Sequence, residues 1–200
     1  MGGQRGILFL VAGPSGVGKD SLIDGARHWL ADDYSFHFPR RVITRSEQAV
    51  GEDHQGVTTA EFDRLEADGA FMLSWQAHGH HYGIPTSAER ALANGRAVIV
   101  NVSRQIIDLA RRRWQPVRVI LVSAPREVLA ERLAMRGRES EEAIQRRLDR
   151  ADSYEIDGAD VLRLVNAGRL DRAIDCFVAL LEHELRTTVT SIERETGLSG

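Results

Sequence analysis

The chain has 200 residues, and its content of 42% hydrophobic and 28% charged residues is ordinary for one globular domain with a sizeable core. The formal net charge of −3 gives no general reason to expect nucleic-acid binding, and the single cysteine excludes an internal disulfide. The apolar run at residues 7–12 is too short for a signal peptide, and no stretch has membrane-spanning length, so we expect a cytoplasmic protein.

Apolar runs alternate with helical periodicity along the chain. The first run, ILFLVA at residues 7–12, is typical of a strand buried on both faces. Further strands are predicted at 41–44, 97–102, 117–122 and 161–165. Helices are predicted at 19–30, 58–69, 86–95, 126–135, 141–154 and 170–186, and one more follows the strand at 97–102 and ends at about residue 113. This alternation predicts an α/β fold with a mostly parallel sheet and helices on both faces. We expect one domain over 1–186 and a polar tail over 187–200.

Capping signals and apolar stripes refine some of these helices. Two of them begin with capping-box spacing, Thr58 with Glu61 and Thr86 with Glu89. Cys176 lies in the last helix and is predicted to be a small packed side chain. The apolar face of that helix is predicted to consist of Ala173, Ile174, Phe177, Leu181 and Leu185.

The segment GPSGVGKDS, residues 13–21, follows the first predicted strand and opens the first predicted helix. Its spacing of Gly13, Gly18 and Lys19 matches a phosphate-binding loop. In such a loop the glycines let backbone N–H groups surround an anion, and the lysine reaches the β- and γ-phosphates. The alternative is a glycine-rich turn that binds nothing, but the strand before it and the helix after it favour a phosphate loop. The predicted ATP contacts are Gly13, Pro14, Ser15, Gly16, Val17, Gly18, Lys19, Asp20 and Ser21.

Asp20 departs from the loop pattern, which has a magnesium-binding serine or threonine at this position. A carboxylate is a hard oxygen ligand that suits Mg²⁺, so Asp20 is a candidate metal ligand. It is also favourable at a helix N-terminus, so the alternative is that it only caps the helix while the metal is held elsewhere. Chemistry alone leaves both interpretations open.

Beyond the loop, four segments carry a family resemblance: RRVITR (40–45), LSWQAHGHHYG (73–83), VNVSR (100–104) and RGRESEEAIQRRLDRADSY (136–154). With the loop, they make residues 6–154 resemble the guanylate-kinase-like P-loop kinases, and within them the ribose 1,5-bisphosphate phosphokinases of phosphonate breakdown, in which Asp follows the loop lysine. The resemblance implies ATP-dependent phosphorylation of ribose 1,5-bisphosphate to 5-phosphoribosyl 1-diphosphate, with Mg²⁺. It also implies an acceptor-binding insertion at about 35–85 and an arginine-bearing lid at about 132–150.

The same resemblance implies the roles of individual residues. Catalysis would depend on Lys19, Arg132, Arg136 and Arg147, and the acceptor would be bound by Arg45, His54, Ser74 and Tyr82. Guanidinium groups suit phosphoryl transfer because their planar fork binds two oxygens of the moving group. The alternative for these arginines is a solvated helix face paired with Glu131, Glu141 and Glu142, and Arg146 is predicted to be such a bystander.

Several departures from guanylate kinases lie in the acceptor region. Where guanylate kinases have their second phosphate-binding arginine, this chain has Gln48. A phosphate-binding tyrosine of that family is replaced by His54, and the glutamate that recognises guanine is replaced by Ser74. Two aspartates of that family are replaced by Asn101 and Ser103. Loss of an acid that pairs with N–H donors weakens recognition of a base, so these changes favour a sugar phosphate. Asp20 and Asn101 together indicate an exchange, in which the metal carboxylate moved from the strand end into the loop.

The remaining candidates favour structural roles. The histidines of HGHH, namely His78, His80 and His81, lack nearby carboxylates with ligand spacing and are predicted to be turn residues near the acceptor pocket. The run 111–113 of three arginines is predicted to be a solvated helix end rather than a nucleic-acid site.

Three functions therefore compete. The leading one is the sugar-phosphate kinase, whose partners are ATP and a small sugar phosphate, with no nucleic acid and no membrane. The second is a guanylate kinase or another nucleoside monophosphate kinase. The third is a non-catalytic guanylate-kinase-like binding module, although such modules tend to lose the glycine loop and its lysine, which this chain keeps.

Overall fold

The computed structural model describes residues 6–47, 53–135, 141–152 and 155–196, with side chains left aside at 152 and 189–196. The predicted catalytic residue Arg136, together with Gln48, lies outside the described residues.

The strands, in chain order, are β1 (Leu8–Ala12), β2 (Phe36–His37), β3 (Arg41–Ile43), β4 (His54–Gly56), β5 (Phe71–Ala77), β6 (His80–Pro85), β7 (Ala97–Asn101), β8 (Val117–Ser123) and β9 (Val161–Val165). The helices are α1 (Lys19–Trp29), α2 (Thr59–Ala67), α3 (Ser87–Ala93), α4 (Ile107–Arg113), α5 (Arg126–Met135), α6 (Glu141–Asp152) and α7 (Leu170–Thr196), with a 3₁₀ turn at Arg104–Ile106.

The main sheet has five parallel strands in the order β2-β7-β1-β8-β9. Its central strand β1 is buried on both faces because helices cover both sides. Phe9 and Val11 belong to one core, which includes buried residues of α1, α5 and α7. Leu8 and Leu10 belong to the other, which includes buried residues of α3 and α4. The predicted parallel sheet with helices on both faces is confirmed.

A second sheet of four strands, in the order β4-β3-β6-β5, is built from residues 41–85. The sequence predicted only β3 of these strands. β5 and β6 form an antiparallel hairpin in which Trp75 lies opposite Tyr82. Its turn consists of His78 and Gly79, which both have positive φ, 51° and 77°. Two such residues give the turn twist that matches a hairpin.

One of the two predicted capping boxes forms. Thr58 Oγ1 accepts a hydrogen bond from the Glu61 backbone N–H at 3.2 Å, and the Thr58 N–H donates to the Glu61 carboxylate at 2.9 Å. The predicted capping box at Thr86 does not form, so that prediction was wrong. Thr86 already has helical dihedrals (φ −61°, ψ −12°), so its side chain does not cap α3. Its backbone N–H donates instead to the carbonyl oxygen of Ala70 at 2.9 Å, which ties the start of α3 to β5.

Helix α7 continues to Thr196, so its predicted end at residue 186, and the polar tail predicted from 187, were placed too early. The buried stripe of this helix runs through Phe177 and Leu181 and reaches Thr188, two residues beyond the predicted end. The apolar face predicted for α7 is confirmed. The prediction for Cys176 was wrong, because its side chain is exposed.

His37 in β2 is expected to make the stability of the protein depend on pH. Burial, and then the charge of Arg96, lowers the pKa of His37 below 6.5. Its Nε2 atom is buried and has no hydrogen-bond partner among the described residues. The unfolded chain therefore binds a proton at pH values where the folded chain does not, and the stabilising difference is lost as the pH falls below about 6.5.

We expect the free energy of unfolding to decrease between pH 7 and pH 5, and to decrease less in a His37→Gln variant. Urea denaturation at both pH values measures the difference. The matched control is His28→Gln, because His28 is exposed on α1 and its replacement should leave the pH dependence unchanged. An identical pH dependence in the wild type and His37→Gln would show that His37 is not responsible.

Candidate active site

The site lies at the carboxyl edge of the main sheet. β1 is flanked by β7 and β8, so the chain leaves β1 toward one side of the sheet and returns later to the other. A crevice forms at such a switch point, outside the carboxyl ends of the strands. The segment at residues 13–21 directly follows β1, and Asn101 ends β7 at the same edge.

The backbone of this segment has the shape of a phosphate loop. Gly13 and Gly18 have φ values of 150° and 94°, and a side chain at Gly13 would overlap the carbonyl oxygen of Val122. Helix α1 starts at Lys19 without a side-chain cap, so its first N–H groups face the loop. Lys19 Nζ donates to the carbonyl oxygens of Gly13 at 2.8 Å and Pro14 at 3.0 Å, which holds the ammonium inside the loop.

Asn166 supports the loop from below and was not predicted. It directly follows β9, and its side chain is only 1% exposed. Its Nδ2 donates to the carbonyl oxygen of Val17 at 2.8 Å, and Arg132 Nη1 donates to the same oxygen at 3.3 Å. These two bonds fix the Val17 carbonyl group. Its oxygen would repel a bound anion if it pointed into the loop. The available signal was an amide side chain at the carboxyl end of the last parallel strand.

A cavity of about 470 Å³ opens beside the loop. Its described lining contains the cationic side chains of Lys19, Arg41, Arg104, Arg147 and Arg150, and none of these described lining residues is an aspartate or glutamate. Such a one-signed lining attracts polyanions. The other described lining residues are Gly13, Pro14, Ser15, Trp75, Ala77, His78, Tyr82, Asn101, Val102, Ser103, Gln105 and Ala151.

Asp20 and Asn101 are in direct contact. Asn101 Nδ2 donates to Asp20 Oδ1 at 2.6 Å, although the residues are 81 positions apart. Burial raises the pKa of nearby Asp24, and the negative charges of Asp20 and Asp53 raise it further against the lowering effect of Arg27. Arg27 pairs with Asp24 at 3.1 Å and with Asp53 at 3.8 Å, so Asp20 is the carboxylate of this group that contacts the end of β7.

This donor set fits Mg²⁺. The ion takes hard oxygen ligands and is commonly held by one or two carboxylates together with substrate phosphates. Among the described residues, no group of three or more His, Cys, Asp or Glu could hold a metal alone. Asp20 is not among the described residues that line the cavity, but it accepts a bond from Asn101, which does line it. One such carboxylate together with bound phosphates would suit the ion.

The second sheet contributes an aromatic wall to the cavity. The rings of Trp75 and Tyr82 stack with centroids 5.4 Å apart and planes inclined by 8°. The guanidinium carbon of Arg41 lies 5.4 Å from the Tyr82 ring centroid. Tyr82 was predicted as an acceptor residue and lines the cavity, whereas Arg41 was not predicted. The basic pair in RRVITR was the signal that could have identified Arg41.

Arg45 and His54 form a unit apart from this cavity. His54 is 1% exposed, and both of its ring nitrogens face Arg45. Arginine only donates and a carbonyl oxygen only accepts, so Nδ1 accepts from Arg45 Nη2 at 3.5 Å and Nε2–H donates to the Arg45 carbonyl oxygen at 3.3 Å. Arg45 lines a second cavity of about 320 Å³, between β3, β4 and the start of α2.

The other predicted residues are distributed around the site. Ser74 is not among the described residues that line either cavity, and its hydroxyl donates to Glu66 of α2. Arg147 and Arg150 of α6 line the first cavity, while the carbonyl oxygen of Arg146 accepts a bond from Arg150 Nε at 3.1 Å. His78 lines the cavity from the hairpin turn.

None of the helices in the described part of the chain combines the length and the apolar character that a membrane span needs.

Comparison with known proteins places the chain in a family. A family model described as guanylate kinase matches residues 5–183. The chain is 42% identical over 181 residues to the ribose 1,5-bisphosphate phosphokinase of Brucella melitensis, covering 90% of this chain and 94% of that one. The chain belongs to the guanylate kinase family.

A second relative and one solved structure are also similar to this chain. The ribose 1,5-bisphosphate phosphokinase of Rhodopseudomonas palustris is 50% identical over 146 residues, which cover 73% of this chain and 75% of that one. The crystal structure of guanylate kinase from Anaplasma phagocytophilum superposes with a TM-score of 0.64 at 18% identity, over 92% of this chain and 88% of that one. At that identity the structural likeness shows the fold alone, and it agrees with the fold class predicted from the sequence.

Proposed function

We propose that the protein transfers the γ-phosphoryl group of ATP to the 1-phosphate of ribose 1,5-bisphosphate, giving ADP and 5-phosphoribosyl 1-diphosphate. The observation that carries this proposal is the cavity, with a phosphate loop at one end, the second sheet at the other, and cations along its described lining. The relatives with this name, at 42% and 50% identity, support it.

In the proposed reaction an oxygen of the 1-phosphate attacks the γ-phosphorus in line, and the bond to the β,γ-bridging oxygen breaks. The acceptor is a phosphate monoester whose second pKa is about 6, so it is already ionised near neutral pH. No strong general base is needed, in keeping with a described cavity lining free of carboxylates. Positioning and charge neutralisation carry the catalysis.

We assign roles from the contacts of each residue. Lys19 and the N–H groups at the start of α1 bind the β- and γ-phosphates, and Arg147 neutralises charge on the group in transfer. Arg132 acts through the loop, because its guanidinium donates to Val17. Mg²⁺, held by Asp20 and the phosphates, would offset the charge that develops on the phosphate oxygens.

The proposed acceptor contacts differ in strength of support. Tyr82 lines the cavity, and His54 is assigned to orienting Arg45 rather than to touching the substrate, since both of its ring nitrogens are engaged by Arg45. Arg45 lines the second cavity together with Glu47 and Glu61, so its contact with the acceptor stays a prediction from the family resemblance. Ser74 is bonded to Glu66, and nothing in its surroundings supports a contact with the substrate.

A guanylate kinase needs an acceptor group for the N–H donors of guanine. The described cavity lining offers guanidinium groups and no carboxylate, so it is suited to anions rather than to a base with N–H donors. This argues against GMP as the substrate.

One assay separates the candidate functions. The protein is incubated with MgATP and either ribose 1,5-bisphosphate or GMP, and ADP and the phosphorylated product are measured. We expect turnover with the sugar bisphosphate, and the Lys19→Met variant controls for contaminating kinases. Turnover with GMP alone would overturn the proposal, and turnover with neither acceptor would favour a binding module.

Arg147 and Arg146 provide a matched pair for testing the lid. We expect Arg147→Met to lower kcat by about 100-fold or more, because loss of one charge-stabilising donor costs about 10²–10³. Arg146→Met should change kcat by less than about a factor of three, because the only described contact of Arg146 is made by its backbone carbonyl. Steady-state kinetics at saturating ATP measure both. Equal losses in the two variants would indicate a general effect on α6.

A further inference from the structure

Arg41 is the cation that the second sheet contributes to the first cavity. It begins β3, and its half-buried side chain reaches across to the main sheet. Arg41 Nη1 donates to the carbonyl oxygen of Asn101 at 2.9 Å, where β7 ends. Its guanidinium also lies over the Tyr82 ring, which is stacked in turn on Trp75. Contacts from both sheets therefore hold the guanidinium in place before any ligand binds.

The cavity has cationic groups on opposing structural units. Lys19 is held by the loop after β1, whereas Arg41 is held by β3 and by the wall of Tyr82 and Trp75. A ligand that contacts both the loop and this wall would meet positive charge from each of them. A pre-organised guanidinium binds a phosphate through two parallel N–H bonds, which gives both affinity and selectivity for phosphate.

We propose that Arg41 binds the 5-phosphate of ribose 1,5-bisphosphate, the phosphate that does not react. This inference rests on the proposed function. The two phosphates lie at opposite ends of the sugar, so a 1-phosphate that faces ATP at the loop directs the 5-phosphate toward the second sheet. Arg41 then determines specificity, because an acceptor without the distal phosphate cannot accept charge-assisted hydrogen bonds from this guanidinium.

The test compares two monophosphates as competitive inhibitors against ribose 1,5-bisphosphate. Ribose 5-phosphate carries only the distal phosphate, and ribose 1-phosphate carries only the reacting one. In Arg41→Met we expect the KM for the bisphosphate and the inhibition constant for ribose 5-phosphate to rise about 10- to 100-fold, as for loss of hydrogen bonds to a charged group. The inhibition constant for ribose 1-phosphate should change by less than about twofold. The KM and the ribose 5-phosphate inhibition constant of Arg41→Lys should lie between those of the wild type and Arg41→Met. Lysine keeps the positive charge but lacks the planar pair of N–H donors of the guanidinium.

Arg40→Met is the matched control. Arg40 precedes Arg41, its side chain is 50% exposed, and it pairs with Asp53 at 2.7 Å and Glu47 at 3.6 Å, so its loss should leave all three constants unchanged. A purely structural role, in which Arg41 only clips the two sheets together, would weaken both monophosphates equally.

The outcomes distinguish this inference from the proposed function. If wild-type protein does not phosphorylate ribose 1,5-bisphosphate, the proposed function fails. If it does, but Arg41→Met weakens inhibition by both monophosphates equally or by neither, only the assignment of the 5-phosphate to Arg41 fails. Failure of ribose 5-phosphate to inhibit the wild type would overturn the assignment in the same way.

Discussion

Asp20→Asn is expected to lower kcat by more than about 100-fold and to shift the Mg²⁺ dependence of turnover to higher concentration. Even residues that only support a metal ligand cost about 10- to 100-fold when removed, and Asp20 is proposed to be the ligand itself. Asparagine keeps the size and one oxygen of the side chain, so the loss reports the charge. Turnover is measured against Mg²⁺ concentration, and Mn²⁺ binding in the presence of ATP gives a readout independent of activity.

The contact between Asp20 and Asn101 supplies the controls. Asn101→Ala removes the amide that donates to Asp20 and should cost about tenfold, the lower end for a residue that supports a metal ligand, since the carboxylate remains. The Asp20→Ser, Asn101→Asp double variant returns the carboxylate to the end of β7 and should recover much of the activity lost in Asp20→Ser alone. Equal, mild effects of Asp20→Asn and Asn101→Ala would contradict the exchange of carboxylate position.

Lys19→Met should have the largest effect, with kcat lowered by about 10³-fold or more. The variant loses the positive charge at the β- and γ-phosphates, and charges that act on the transferring group are worth about 10³–10⁵ in phosphoryl transfer. It also loses the bonds to the carbonyl oxygens of Gly13 and Pro14, which hold the ammonium inside the loop. Single-turnover kinetics separate loss of the chemical step from weaker ATP binding.

Lys19→Arg is the matched variant, because it keeps the charge but replaces a compact ammonium with a wider planar group. We expect it to bind ATP and to turn over slowly, since the guanidinium does not fit between the same two carbonyl oxygens. Circular dichroism should show that both variants are folded. More than a tenth of wild-type kcat in Lys19→Met would refute the proposed role.

The parts of the fold that follow from local pattern were predictable. The continuous apolar run of β1, the glycine loop after it and the helix from Lys19 are close in sequence, and each conforms to a local rule. The hairpin of β5 and β6 was missed because polar residues such as Gln76 and His80 interrupt its apolar pattern. Its strands are defined by pairing with each other, and by the positive φ at His78, rather than by periodicity.

The site divides in the same way. The loop residues were predicted because their chemistry is local, whereas Asn166 meets Val17 across 149 residues and Arg41 meets Asn101 across 60. Such contacts depend on strand order, which no short segment contains. Ser74 is adjacent to Trp75, whose side chain lines the cavity, and successive side chains of a strand point to opposite faces of the sheet. The family motif alone does not show which of the two faces meets the cavity.

The ammonium held by Gly13 and Pro14 has a practical consequence, since Lys19 is the only lysine in these 200 residues. Within this sequence, Lys19 is therefore the one lysine side chain that amine-directed acylating reagents can modify. Protection of Lys19 by MgATP, followed by peptide mass spectrometry, would measure nucleotide occupancy directly and without an acceptor. The same chemistry would place a fluorophore or crosslinker on Lys19, a residue that lines the cavity, without any engineered cysteine.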